Sequence, residues 1–114
     1  MTITYKSDSL ISVGVEPTII TTLPPSVISA ICAGINVANV ANMLIYVTVT
    51  IFRVSSQSTI NIVKKCPVEV GTNIDVIKGK LILLPDDIIL VNSSLETSAD
   101  FVISYIVDLE QILL

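Results

Sequence analysis

The chain has 114 residues, 52% of them hydrophobic but only 4% aromatic, and a net charge of −4. That length fits one domain whose core needs no metal or disulfide, and six scattered bases, with only Lys64 and Lys65 adjacent, exclude the concentrated basic footprint of a nucleic-acid reader. Without any histidine the commonest general base and the Cys-His and Ser-His nucleophile pairs are excluded as well.

Residues 1–9, MTITYKSDS, are polar and read as loose or arm-like. They lack the basic and apolar regions of a signal peptide, so synthesis in a reducing, intracellular site is expected. An extended region follows over residues 10–22, interrupted by Gly14 and by Pro17, which cannot donate to a ladder and belongs at an edge or bulge. The stretch SVISAICAGINVAN (26–39) reads as a strand with a bend or bulge at Gly34. MLIYVTVTIFRV (43–54) is the longest clean strand, with Ile45, Val47, Val49 and Ile51 on one side and Tyr46, Thr48, Thr50 and Phe52 on the other.

This part of the chain also poses a question, because Pro17 to Phe52 contains no charged side chain. It is long enough to cross a bilayer as a helix. Pro24-Pro25 would break such a helix, Asn36, Asn39 and Asn42 would be costly in lipid, and the alternation of Val with Thr has the period of a strand. Strands are therefore expected, and no membrane partner.

SSQS (55–58) supplies a turn and TINIVKKC (59–66) returns antiparallel. PVEVGTN (67–73) is punctuated by Pro67 and Gly71, and IDVIKGKLILL (74–84) folds around Gly79, with Gly79-Lys80 as a two-residue hairpin turn. PDD (85–87) turns again, IILVNSS (88–94) is a strand, LETS (95–98) a loop and ADFVISYIVDLEQ (99–111) the closing strand. Phe101, Ile103, Tyr105, Val107 and Leu109 share one side of that last strand. About eight strands separated by short turn signals make an all-β domain, an antiparallel β-sandwich of jelly-roll type.

Little chemistry is visible. There is no G-x-S-x-G elbow, no G-x-G-x-x-G and no Walker motif. Asp86-Asp87 reads as a solvated turn rather than a cation site. Lys64-Lys65 reads as a solvated strand end, the other reading being a contact with an acidic neighbour subunit. Cys32 and Cys66 have no zinc-like spacing and read as free, small apolar residues of the core, a disulfide between them being the other reading. No catalytic residue, metal or cofactor is expected.

Several segments carry a family resemblance: GINVAN (34–39), VTVTIFR (47–53), VKKCPVEVG (63–71), KLILL (80–84), PDDIILVNSS (85–94) and SADFVISYIVDLE (98–110). Together they resemble small virion structural proteins of tailed bacteriophages, especially those of marine bacteria and cyanobacteria. The resemblance covers residues 27–110 and implies an antiparallel β-sandwich repeated by symmetry on a phage particle, assembled in the host cytoplasm.

The expected function is therefore a non-enzymatic virion component attached to the capsid, neck (collar) or tail. Its partners would be copies of itself, a trimer by analogy with protruding phage sandwiches, and other virion proteins. The alternative is a receptor- or carbohydrate-binding module at a fibre or spike, with the loop at Asn92–Thr97 as its site. The expected division is an extended docking arm (1–25), a sandwich (26–111) and a tail (112–114). Tyr46, Phe52, Phe101, Ile103, Tyr105 and Val107 are the expected subunit contacts, and Ile19, Ile20, Leu23, Ile112 and Leu113 the expected docking residues.

Overall fold

Alternation of β-branched and polar residues turns this sequence into strands. In the stretch from Ile45 to Phe52, Ile45, Val47, Val49 and Ile51 are buried while Tyr46, Thr48, Thr50 and Phe52 look outward. The computed structural model describes residues 2–109. They form nine strands: β1 (Thr2–Val13), β2 (Thr18–Thr22), β3 (Val27–Asn39), β4 (Ile45–Arg53), β5 (Ser58–Val68), β6 (Asn73–Asp75), β7 (Leu81–Leu83), β8 (Ile88–Ser93) and β9 (Ala99–Leu109). The uncharged run from Pro17 to Phe52 is thus spent on β2, β3 and β4.

The topology is a long hairpin rolled up on itself. At its tip β4 and β5 pair across a turn in which the Ser56 amide donates to the Arg53 carbonyl and Gln57 takes a left-handed φ of 51°. Further back, β3 pairs with β6 and β7, β2 with β8, and β1 with β9, all antiparallel. Rolling then brings β9 beside β3 and β8 beside β4. One sheet runs β1-β9-β3 and then β6 and β7; the other runs β2-β8-β4-β5. This is the strand order of a jelly roll, so the expected sandwich is what forms.

Leu23, Ile35, Val47, Ile51, Leu83, Ile89, Phe101 and Ile103 fill the space between the sheets. Burying one such side chain fully is worth about 1.5–3 kcal/mol, and β-branched residues dominate because they pack well on a pleated surface. The register of β3 against β9 shifts between Cys32 and Gly34, the bulge expected at that glycine. The reason is spatial: a Cβ at Gly34 would stand 2.8 Å from an Asp75 carboxylate oxygen. That carboxylate accepts hydrogen bonds from the Ile35 amide (3.2 Å) and the Ile77 amide (2.9 Å), holding the end of β6 against β3.

Three expectations change. Residues 1–9 are not loose, because Thr2 to Leu10 pair residue for residue with Leu109 to Phe101. The first 25 residues are extended, as expected, but they are hydrogen-bonded into their own sandwich as an edge strand of each sheet, so the boundary between arm and domain at residue 25 is corrected. The Gly79-Lys80 hairpin is also corrected. Gly79 does take a left-handed φ of 85°, but β6 and β7 do not pair with each other. They lie one after the other along β3, at Asn36–Ala38 and at Ala30–Cys32.

Candidate assembly surfaces

With the core facing inward, each sheet presents its other side outward, and neither outer side is uniformly polar. On the first sheet the register aligns Tyr5 of β1 with Ile106 of β9, Ile106 with Ile31 of β3, and Ile31 with Ile82 of β7. The result is an unbroken apolar row across the whole sheet, 80% exposed at Tyr5 and 57% at Ile82. Ile3 and Val102 lie exposed on the same side. On the second sheet Ile19, Leu90 and Thr50 form one row and Ile88, Phe52 and Thr59 the next. They line a shallow, open depression. Such contiguous apolar patches mark interaction surfaces when they exceed what isolated surface residues contribute.

The sheets meet along two long seams. At the β1/β2 seam the Tyr105 hydroxyl donates to the Asp8 carboxylate (3.0 Å) and shares a hydrogen bond with the Thr21 hydroxyl (3.2 Å). Burial pushes the Tyr105 phenol above its usual range, opposed by the hydrogen bond with Thr21 and reinforced by the Asp8 carboxylate. At the β5/β7 seam a groove is lined by Ile62, Val63, Val76 and Leu81, with Lys78 and Lys80 exposed beside it.

One end is braced by an ion pair. The Asp87 side chain is fully buried and the Arg53 side chain 22% exposed, with Arg53 Nη2 2.9 Å from Asp87 Oδ2 and Arg53 Nε 3.2 Å from each carboxylate oxygen. The Leu84 amide donates to the same carboxylate (2.8 Å), the Leu23 amide to the Asp87 carbonyl (2.8 Å), and Arg53 Nη2 to the Ile82 carbonyl (3.3 Å). Asp86-Asp87 is therefore a turn, with Asp86 at a φ of 67°, but Asp87 is not solvated. That part of the expectation is corrected: the partner is Arg53, 34 positions earlier, which turn chemistry alone does not reveal.

The loop expected for a carbohydrate- or receptor-binding site is internally engaged. Ser93 and Ser98 are buried and joined through their hydroxyls (2.6 Å), and Ser98 Oγ donates to the Leu95 carbonyl (2.6 Å). The Glu96 carboxylate accepts from the Val15 amide (3.3 Å), and Asn92 Nδ2 donates to the Val15 carbonyl (3.4 Å). Cys32 is buried and Cys66 half-buried, and both are free thiols, so the placement of Cys66 in the core is corrected. Desolvation pushes the Cys32 thiol up, opposed by a hydrogen bond from the Gly34 backbone and reinforced by the charge of Asp75. Among the described residues no three histidine, cysteine or acidic side chains gather as a metal site.

The expected contact residues divide sharply. Tyr46 and Phe52 do lie on the outer side of β4. Phe101, Ile103, Tyr105 and Val107 do not: they face the core, at most 7% exposed, and are corrected as contacts. The more apolar side of β9 is the one the interior takes, leaving Val102 and Ile106 outward. Of the docking residues, Ile19 is exposed, but Ile20 and Leu23 are buried and corrected for the same reason; Ile112 and Leu113 lie outside the described residues. The row Tyr5–Ile106–Ile31–Ile82 escaped the sequence reading because its members come from four strands whose register is not local information. Its one local signal was the pair Val102 and Ile106 on the otherwise polar side of β9.

No protein-family model matches the chain, and no curated protein matches it. Among solved structures, the fold is similar to a chain of Bacillus endospore appendages, described as a family of disulfide-linked pili. The TM-score is 0.60 at 14% identity, over 96% of this chain and 90% of that one. A chain of infectious bursal disease virus, strain Gx, aligns with a TM-score of 0.47 at 8% identity; this chain spans 38% of its length. Both neighbours are all-β, and the likeness to the appendage chain, at 14% identity, is one of fold.

Proposed function

We propose that the protein is a non-enzymatic structural subunit that assembles with copies of itself, and that the particle it builds is a tailed-phage virion, at the capsid, neck or tail. The observation that carries the reading is the apolar row Tyr5–Ile106–Ile31–Ile82, displayed on an outer sheet face that a lone subunit leaves in water. A specific interface buries about 1,600 Å² in total. The two outer faces supply apolar area for such contacts, and the interior, filled with Ile, Val and Leu, supplies the rigidity of a spacer. The phage assignment draws on the sequence resemblance over residues 27–110. A fold shared with an appendage subunit agrees with a structural role without specifying the particle.

The test of self-assembly is Ile31→Lys with Ile82→Lys. Both positions are outward, so the monomer keeps its fold by circular dichroism, and light scattering after size exclusion should show the oligomer, expected as a trimer, falling to a monomer. An unchanged oligomer would remove this row from the interface. Mass spectrometry of density-purified particles tests the virion assignment, which fails if the chain does not sediment with them.

A further inference from the structure

The β5/β7 seam is apolar inside and basic outside. Ile62, Val63, Val76 and Leu81 line it, Lys78 and Lys80 stand exposed beside it, and Lys64 and Lys65 follow Val63 on the same edge strand. Two of the six bases of the chain thus line this groove, and two more follow along its edge strand. Among the described residues none of these lysines forms an ion pair, and the Asp75 carboxylate accepts instead from the Ile35 and Ile77 amides. The chain itself contains a segment of complementary character: Glu110-Gln111-Ile112-Leu113-Leu114, an acid followed by three consecutive large apolar residues.

We infer that residues 110–114 of one copy occupy the β5/β7 groove of a second copy, with Ile112 and Leu113 against the apolar lining and Glu110 facing the lysines. The inference rests on the self-assembly proposed above and names a second contact that strengthens it. Reach decides between the same copy and a neighbour. The tail leaves β9 at Leu109, opposite Val27 of β3, whereas Leu81 in the groove lies opposite Cys32 and one strand further out. At about 3.3 Å per residue and about 4.8 Å between strands, the groove is about 17 Å along the sheet and about 10 Å across it from Leu109. Ile112, three residues on, reaches at most about 11 Å. It cannot line its own groove, and a neighbour's groove must take it. Contacts that run from one patch to a different patch are heterologous, so they close into rings or extend into filaments according to the rotation between copies.

The test uses the full chain with Ile112 replaced by p-benzoylphenylalanine. Isotopically light and heavy protein are mixed in denaturant, refolded together and irradiated. Light–heavy peptide pairs joining residue 112 to the segments 60–65 or 76–82 are the expected result. Pairs of uniform isotope only, or links to other segments, would overturn the inference. In sedimentation, Lys80→Glu should weaken association by about tenfold, and adding Glu110→Lys should restore it to within about threefold. An oligomer indifferent to Lys80→Glu and to Leu113→Glu would refute the tail contact while leaving self-assembly intact. A wild-type chain that stays monomeric would refute both.

Discussion

The two seams of this sandwich are closed in opposite ways. Where β1 meets β2, polar groups from both sheets are joined to one another through Asp8, Tyr105 and Thr21, so that edge is finished within one subunit. Where β5 meets β7, the facing side chains are Ile62, Val63, Val76 and Leu81 beside unengaged lysines, and no comparable link joins the sheets among the described residues. A jelly roll must have two such edges, because its sheets are open. One is satisfied internally and serves the fold; the other is left apolar and charged, and it is the edge proposed above to meet a neighbour.

The contrast can be broken most violently by removing the finished seam. Deleting residues 1–24 takes away β1, β2 and the buried Leu23, exposing β8 and β9 as new edges. The expected outcome is loss of cooperative unfolding by circular dichroism; a truncated chain that still melts cooperatively would show that the leader is dispensable to the core. Next in size is the brace between the seams, since Asp87 holds Leu23 on one side while Arg53 holds the Ile82 carbonyl on the other. Arg53→Met strands a buried carboxylate and should cost about 3–5 kcal/mol in urea denaturation. Arg53→Lys should recover only part, because a single ammonium cannot span both carboxylate oxygens.

A smaller effect sharpens the same comparison. Tyr105→Phe removes the hydroxyl that links Asp8 to Thr21 and should cost about 1–2 kcal/mol. It should also alter the alkaline limb of stability. The folded-state values of Tyr105 and Cys32 are raised, from 10.0 and 9.0. The folded protein therefore keeps protons that the unfolded chain releases, and the corresponding stability is complete below pH 9 and is lost as pH rises through the raised values. Tyr105→Phe should flatten the loss above pH 10, and Cys32→Ala the part that begins near pH 9. The least effect on folding is expected at the open seam. Lys78→Glu should change monomer stability by no more than about 0.5 kcal/mol while weakening association.

How far these features were legible from sequence follows from their range. β4 was readable because its alternation is unbroken over Ile45–Phe52 and its turn lies immediately after it. The bulge at Gly34 was readable because a glycine inside a strand pattern marks one. β1 was not, because TITYKSDS carries polar residues on both sides, as suits an edge strand whose inward Lys6 and Asp8 lie at a seam. The side of β9 that faces the core was decided by what lies across from it, and so was the burial of Asp87 by Arg53. Assembly surfaces are harder still, since the row from Tyr5 to Ile82 exists only once four strands are in register.

The central claim is that this sandwich is a building unit whose exposed apolar faces are covered by further copies. Sedimentation velocity of the purified full chain over a hundredfold range of concentration tests it most directly. The account predicts a discrete oligomer or a growing series of assemblies that Ile31→Lys with Ile82→Lys reduces to folded monomer. A wild-type chain sedimenting as a stable monomer of 12.2 kDa at every concentration would contradict it.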